Sequence, residues 1–161
     1  MPDKTISYVN VNANPLKIQK SMLSLTNLLK KIFGLQSSGF KNIFAAKVSS
    51  IEKHPNADRL RVVKLNLGSR EVYPVICGAF NFEEGDVVAL ALPGAEIKQN
   101  IHDKNHKPFI LEKAKIRGVE SQGMICARFE LGLGPLDERP EIMVLKTSVA
   151  PGSQFTPKML K

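Results

Sequence analysis

The chain has 161 residues, 43% hydrophobic and 24% charged, a composition that supports a buried core and excludes wholesale disorder, at a length too short for a typical multi-domain enzyme. Its 23 Lys and Arg against 15 Asp and Glu give a formal charge of +8, so polyanions are the first partner class to consider. No run approaches the roughly 18 apolar residues of a membrane span, and no secretory leader pattern opens the chain. A cytoplasmic location without membrane attachment is therefore expected.

Residues 5–11 alternate partly and are β-branched, which suits a strand. From Pro15 to Phe33, Ile18, Met22, Leu25, Leu29 and Ile32 recur at three- and four-residue steps, the spacing of an amphipathic helix. Asn14 and Pro15 suit its start and Gly34 its end. Residues 35–42 read as a linker, so residues 1–43 are expected to form an extension and residues 44–161 the main domain. The extension holds six Lys and one Asp, a net +5, which a solvated helix face would also explain.

From Phe44 onward, short apolar runs are separated by Gly, Pro and Asn, as in an all-β barrel or sandwich. The expected strands are 44–51, 60–67, 72–77, 87–92, 110–116, 124–128 and 142–145. Alternation slips at Val62-Val63, which predicts a β-bulge in the second strand and helps a sheet curl. Gly85-Asp86 and Pro93-Gly94 mark turns, and Lys98 to Pro108 a polar loop. A small closed barrel of the OB type is one architecture that fits. The expectation is thus a mainly β fold, an OB-fold barrel, with an N-terminal amphipathic helix.

Three segments carry chemical information. His54-Pro55-Asn56-Ala57-Asp58-Arg59 reads as a rigid turn, because Pro55 fixes φ and Asn56 and Asp58 can bond to nearby backbone N–H groups. His54 and Asp58 alone make a poor metal site. Cys77 ends the apolar run Val75-Ile76-Cys77, and Cys126 follows Met124-Ile125; both suit reduced core thiols rather than a disulfide framework or a nucleophile. The third segment is Lys113-Ala114-Lys115-Ile116-Arg117-Gly118-Val119-Glu120-Ser121-Gln122-Gly123-Met124. In one strand, Lys113, Lys115 and Arg117 would share a face suited to a phosphate backbone, while Ser121 and Gln122 offer hydrogen bonds to a base edge or sugar. A charged edge strand protected against aggregation is the plain alternative. Residues 98–128 hold seven basic and three acidic residues, so the second part's excess charge gathers here. His102 and His106 lie four apart in a loop-like segment, too little for a metal site. With no Trp and 6% aromatic residues, extended stacking on single-stranded bases is not favoured, and recognition of a folded RNA by shape and backbone fits better. No cofactor is expected, and no P-loop, GxSxG elbow or metal cluster supports an independent hydrolase or transferase.

The succession HPNADRL, VICGAFN, ALPGAEI, KAKIRGVESQGM and ELGLG, over about residues 44–155, resembles the tRNA-binding domain of stand-alone bacterial tRNA-binding proteins and of bacterial phenylalanyl-tRNA synthetase β subunits. The resemblance implies an OB-fold that binds structured tRNA without sequence-specific base readout. It points to Lys115, Arg117, Ser121 and Met124 as RNA-facing, with Lys113 and Gln122 beside them. Within the HPNADR turn, Arg59 is kept as a peripheral RNA contact and His54, Asn56 and Asp58 as structural. Asn81 matches a family position to which no role is assigned, and no contact is assigned to the loop from Gln99 to Phe109. The segment Glu141 to Phe155 resembles the closing stretch of the stand-alone type, so a non-catalytic stand-alone tRNA binder is the favoured reading, with a homodimer or synthetase subunits as further partners to consider. The alternatives are the N-terminal region of a synthetase β subunit that assists aminoacylation, and a protein-interaction module.

Overall fold

A computed structural model of the chain describes residues 39–136 and 141–161. The expected N-terminal strand, the helix from Pro15 to Phe33 and most of the linker lie outside the described residues.

Strand β1 (Ile43–His54) is the spine of the fold. Its first half pairs with β4 (Val87–Ala91) and its second with β2 (Ala57–Asn66), both antiparallel. With β3 (Glu71–Cys77) and β9 (Met124–Ile125) they form a sheet in the order β3-β2-β1-β4-β9. Two short hairpins complete the strands: β5 (Glu96–Ile97) with β6 (Phe109–Ile110), and β7 (Ala114–Ile116) with β8 (Val119–Ser121). The sheet curls until β3 meets the chain following β8. There the Gln122 N–H donates to the Pro74 carbonyl at 2.9 Å, and the Ile76 N–H donates to Ser121 Oγ at 3.0 Å. The result is the expected mainly β barrel.

All five residues of β4 are buried, because alternate side chains feed two different cores. Val88 and Leu90 enter one with Val63, Leu65, Val75 and Ile125. Val87, Ala89 and Ala91 enter the other with Ile97, Leu145 and Phe155. A strand covered on both faces reads as a continuous apolar run rather than an alternating one.

The phase slip at Val62-Val63 is real, and both side chains are buried. The extra residues, however, belong to the neighbouring strands. Val48 pairs with Leu65 and Ser50 with Lys64, leaving Ser49 over in β1; Val63 pairs with Val75 and Leu65 with Val72, leaving Tyr73 and Pro74 opposite a single residue of β2. Such irregularities bend strands and add to the curl of the sheet.

The strand expected over 110–116 is divided between β6 and β7. The chain reverses at Arg117 and Gly118, whose φ angles of 47° and 94° belong to a two-residue hairpin turn that follows the twist of its strands. The strand expected over 124–128 stops at Ile125, because the chain turns into a 3-10 turn at Phe129–Leu131. Residues 142–145 make isolated bridges, Ile142 with Ala127 and Val144 with Val88. Asn81 gains a role here. Its amide donates to the Ile142 carbonyl and accepts from the Ile142 N–H, each at 3.0 Å, so one side chain replaces a neighbouring strand.

Both cysteines are free and buried. Burial pushes their thiols up, Cys126 well up, which suits core residues rather than nucleophiles. Among the described residues no helix is long and apolar enough to cross a membrane.

Glu130 secures the 3-10 turn by accepting the Ala127 N–H at 2.7 Å. Burial raises its carboxyl pKa, and the bond from Ala127 partly opposes the shift. With the folded value above the unfolded one, the stability tied to this group is fully present below the ordinary carboxylate range. It is lost as pH rises through the raised folded value. Glu130→Gln keeps an acceptor for Ala127 and removes the titration. Thermal unfolding across roughly pH 4 to 8 should therefore show a flatter stability profile in the variant, with its Tm at the upper end equal to or above that of the wild type. An unchanged profile would assign the slope to another group.

Candidate nucleic-acid interface

The β7–β8 hairpin carries Lys115, Arg117 and Ser121, with Lys113, Gln122 and Met124 on either side of it, and the HPNADR turn holds its tip. His54 is buried although it terminates a strand. Its Nδ1 accepts the Asn56 N–H at 3.1 Å, which places the proton of the neutral ring on Nε2, and Nε2 donates to the Ile116 carbonyl at 3.2 Å. Asn56 donates its side-chain amide to the next carbonyl, that of Arg117, at 3.0 Å. Two successive carbonyls of the tip are thus held by one turn some sixty residues earlier. The clamp secures a conformation that disfavours a non-glycine residue, since Arg117 sits in the left-handed region. At Gly118 a Cβ would stand 3.3 Å from Asn56 Nδ2, so the close approach of the clamp suits glycine.

Lys113, Lys115 and Arg117 do not form one strand face. Lys113 precedes β7, Lys115 lies within it, and Arg117 occupies the turn. All three are exposed. Glu120 stands directly across from Lys115 and pairs with Lys113 at 3.8 Å. A carboxylate therefore interrupts the basic stripe. Between these cations Ala114 is exposed and Ile116 half-buried, so the hairpin does not bury a full apolar face either.

The structure takes Ser121 out of the surface. It is 3% exposed, and its hydroxyl accepts from Ile76 and donates to the Gly123 carbonyl at 2.8 Å. It works as a rivet between β3 and β8, with its hydroxyl engaged on both sides. Gln122 is half-buried and donates its amide to Glu120 at 2.9 Å. Met124 is half-buried, packs on the core that holds Leu145 and Phe155, and lines an apolar groove of about 430 Å³ with Phe109, Ile110 and Ile116. Arg59 is exposed within β2, away from the hairpin strands in sequence and in pairing.

Arg61, which the sequence reading passed over, is structural. Its guanidinium donates to the Phe82 and Ala79 carbonyls at 3.1 and 2.6 Å and lies over the Phe80 and Phe82 rings. It builds the corner that positions Asn81. A second set also escaped the sequence reading. Lys64 and Tyr73 lie together on β2 and β3, with Arg70 in the turn between those strands.

Residues 43–154 match the family described as "Putative tRNA binding domain". The phenylalanine–tRNA ligase β subunit of Chlamydia pneumoniae is 47% identical over 97 residues, 60% of this chain and 12% of that protein. The β subunit of Syntrophus aciditrophicus is 32% identical over 148 residues, 92% of this chain and 17% of that protein. The chain thus spans well under a fifth of the length of these relatives. Among solved structures, a MetRS-related protein from Pyrococcus horikoshii shares the fold, with a TM-score of 0.50 at 17% identity over 71% of this chain and 88% of that one.

Proposed function

Because the chain belongs to the tRNA-binding domain family, we propose that it grips structured tRNA through the clamped β7–β8 hairpin and carries out no bond-making step itself. The observation that carries this reading is the hairpin tip. Arg117 and Lys115 are exposed cations without ion pairs among the described residues, and His54 and Asn56 fix the backbone that presents them. A rigid loop loses little entropy when it meets its ligand, so binding free energy is not spent on ordering it. Lys and Arg contacts to phosphates displace counterions and read the spacing of the backbone rather than the identity of the bases. Lys113 lies at the edge of this site and Arg59 at its periphery. The reading places the chain with the translation machinery of the cytoplasm.

A second reading draws on the synthetase relatives. As the corresponding region of a phenylalanine–tRNA ligase β subunit, the same hairpin would assist aminoacylation by holding tRNA, while the chemistry lay on other parts of that enzyme. Both readings place the same residues on the RNA.

The test is the double variant Lys115→Ala/Arg117→Ala. It should weaken tRNA binding severalfold at low salt and reduce the slope of log affinity against log salt by about 2, roughly one for each lost phosphate contact. Its unfolding free energy should stay within about 0.5 kcal/mol of the wild type, as for surface substitutions. A folded variant with wild-type affinity and slope would remove the hairpin from the site. Equal competition by duplex DNA of matched length would reduce the interaction to charge alone.

A further inference from the structure

Tyr73 stands 46% exposed on β3. The Lys64 ammonium lies over its ring, 5.4 Å from the centroid. The ring also lines a cavity of about 520 Å³, within the usual range of small-ligand sites. Arg70, Lys113 and Gln122 share the wall with it, as do Phe44 and Glu71. Arg70 makes no ion pair among the described residues, and Lys113 makes only a long, exposed one with Glu120 at 3.8 Å. Gln122 directly follows β8, so the cavity adjoins the hairpin.

We propose that this cavity takes one unpaired nucleotide of a bound RNA, with its base on the Tyr73 ring and its phosphate between Arg70 and Lys113. The proposal rests on the tRNA-binding reading and deepens it, from phosphates gripped at the hairpin to one base held beside it. Three features select a nucleotide over other anions. An exposed aromatic ring offers a stacking surface that a carboxylate or inorganic phosphate cannot use. Glu71 on the same wall disfavours a ligand that is all negative charge more than one with a neutral base and a single phosphate. Asn42 and Gln122 are both on the cavity wall; their amide N–H groups donate to the Pro93 carbonyl and to Glu120, which leaves their amide oxygens as acceptors for the polar edge of the base.

The sequence contains two Tyr and no Trp, so in a Tyr8→Phe chain Tyr73 is the sole source of tyrosine fluorescence. Titration with a single-stranded tetranucleotide of adenosine should quench that emission. Tyr73→Ala should weaken tetranucleotide binding at least about fivefold, the lower end for a lost base–aromatic stack, whereas Tyr73→Phe should retain it. A polyglutamate peptide of matched charge should leave the emission unchanged, and equal quenching by that peptide would overturn the stacking assignment. Unquenched emission together with undiminished tetranucleotide affinity in Tyr73→Ala would also overturn it, even if tRNA still bound through the hairpin. Quenching by the tetranucleotide without any tRNA binding would uphold the cavity and instead sink the reading on which it was built.

Discussion

Gly152→Ala is expected to destabilise the barrel by more than about 3 kcal/mol, a large share of the roughly 5 to 15 kcal/mol that holds a typical domain together. The site explains the size of the effect. β2 pairs with β1 only from Lys47 onward, which leaves Ile43 to Ala45 without a partner on that side. The last segment of the chain fills the gap. Gly152 donates to the Ala45 carbonyl, Ala45 donates to the Ser153 carbonyl, and Phe155 donates to the Ile43 carbonyl, each at 2.8 Å. Gly152 is the joint where this segment abuts the residue after β2. It has φ of 89°, and a Cβ there would overlap the Leu67 carbonyl oxygen and lie 3.2 Å from its carbon. Neither atom belongs to a side chain that could swing away. The backbone must move, and the pairing that seats the fully buried Phe155 goes with it. Gly85 is the control, because its φ of 94° is similar and nothing lies within 4 Å of a Cβ there. Gly85→Ala should cost only the conformational penalty, about 1 to 2 kcal/mol. Denaturant unfolding of the two variants separates the effects, and equal losses would show that the contact with Leu67 does not govern the site.

The sheet was legible where local pattern and burial agree. β1 to β4 follow runs whose apolar residues alternate or, in β4, persist because both faces are covered. The β7–β8 region was misread for a local reason. A lysine–arginine alternation looks like one face of a continuous strand unless the chain turns at Arg117, and a non-glycine residue at positive φ gives no signal of its own in sequence. Ser121 shows the other limit. A serine beside a glutamine and two glycines resembles a polar contact residue, and only its bond partner on β3, 45 residues away, reveals a rivet. The HPNADR turn was legible as rigid but not as a clamp, because its partners lie 61 and 62 residues along the chain. Glu120 was visible in the motif, yet its effect on the lysines depends on a cross-strand register that only the hairpin turn defines.

That clamp leads to the second large effect. His54→Ala should lower stability by about 1 to 3 kcal/mol, because it leaves the Ile116 carbonyl and the Asn56 N–H without their partner and opens space in a buried position. Asn56→Ala, at an exposed site, should cost less. Both variants retain Lys113, Lys115 and Arg117, so the number of phosphates that can be neutralised does not change. If the clamp positions the hairpin for RNA, each variant should bind tRNA severalfold more weakly while keeping nearly the wild-type salt slope. The double cation variant should lose slope as well as affinity, and this difference separates a positioning role from a contact role. Hydrogen exchange at the hairpin amides supplies an independent readout, since releasing Ile116 and Arg117 frees the tip from its left-handed turn and should shorten protection at the amides of β7 and β8. Wild-type tRNA affinity in a folded His54→Ala chain with accelerated exchange would mean that the hairpin is ordered by the RNA itself, and the histidine turn would then serve the fold alone.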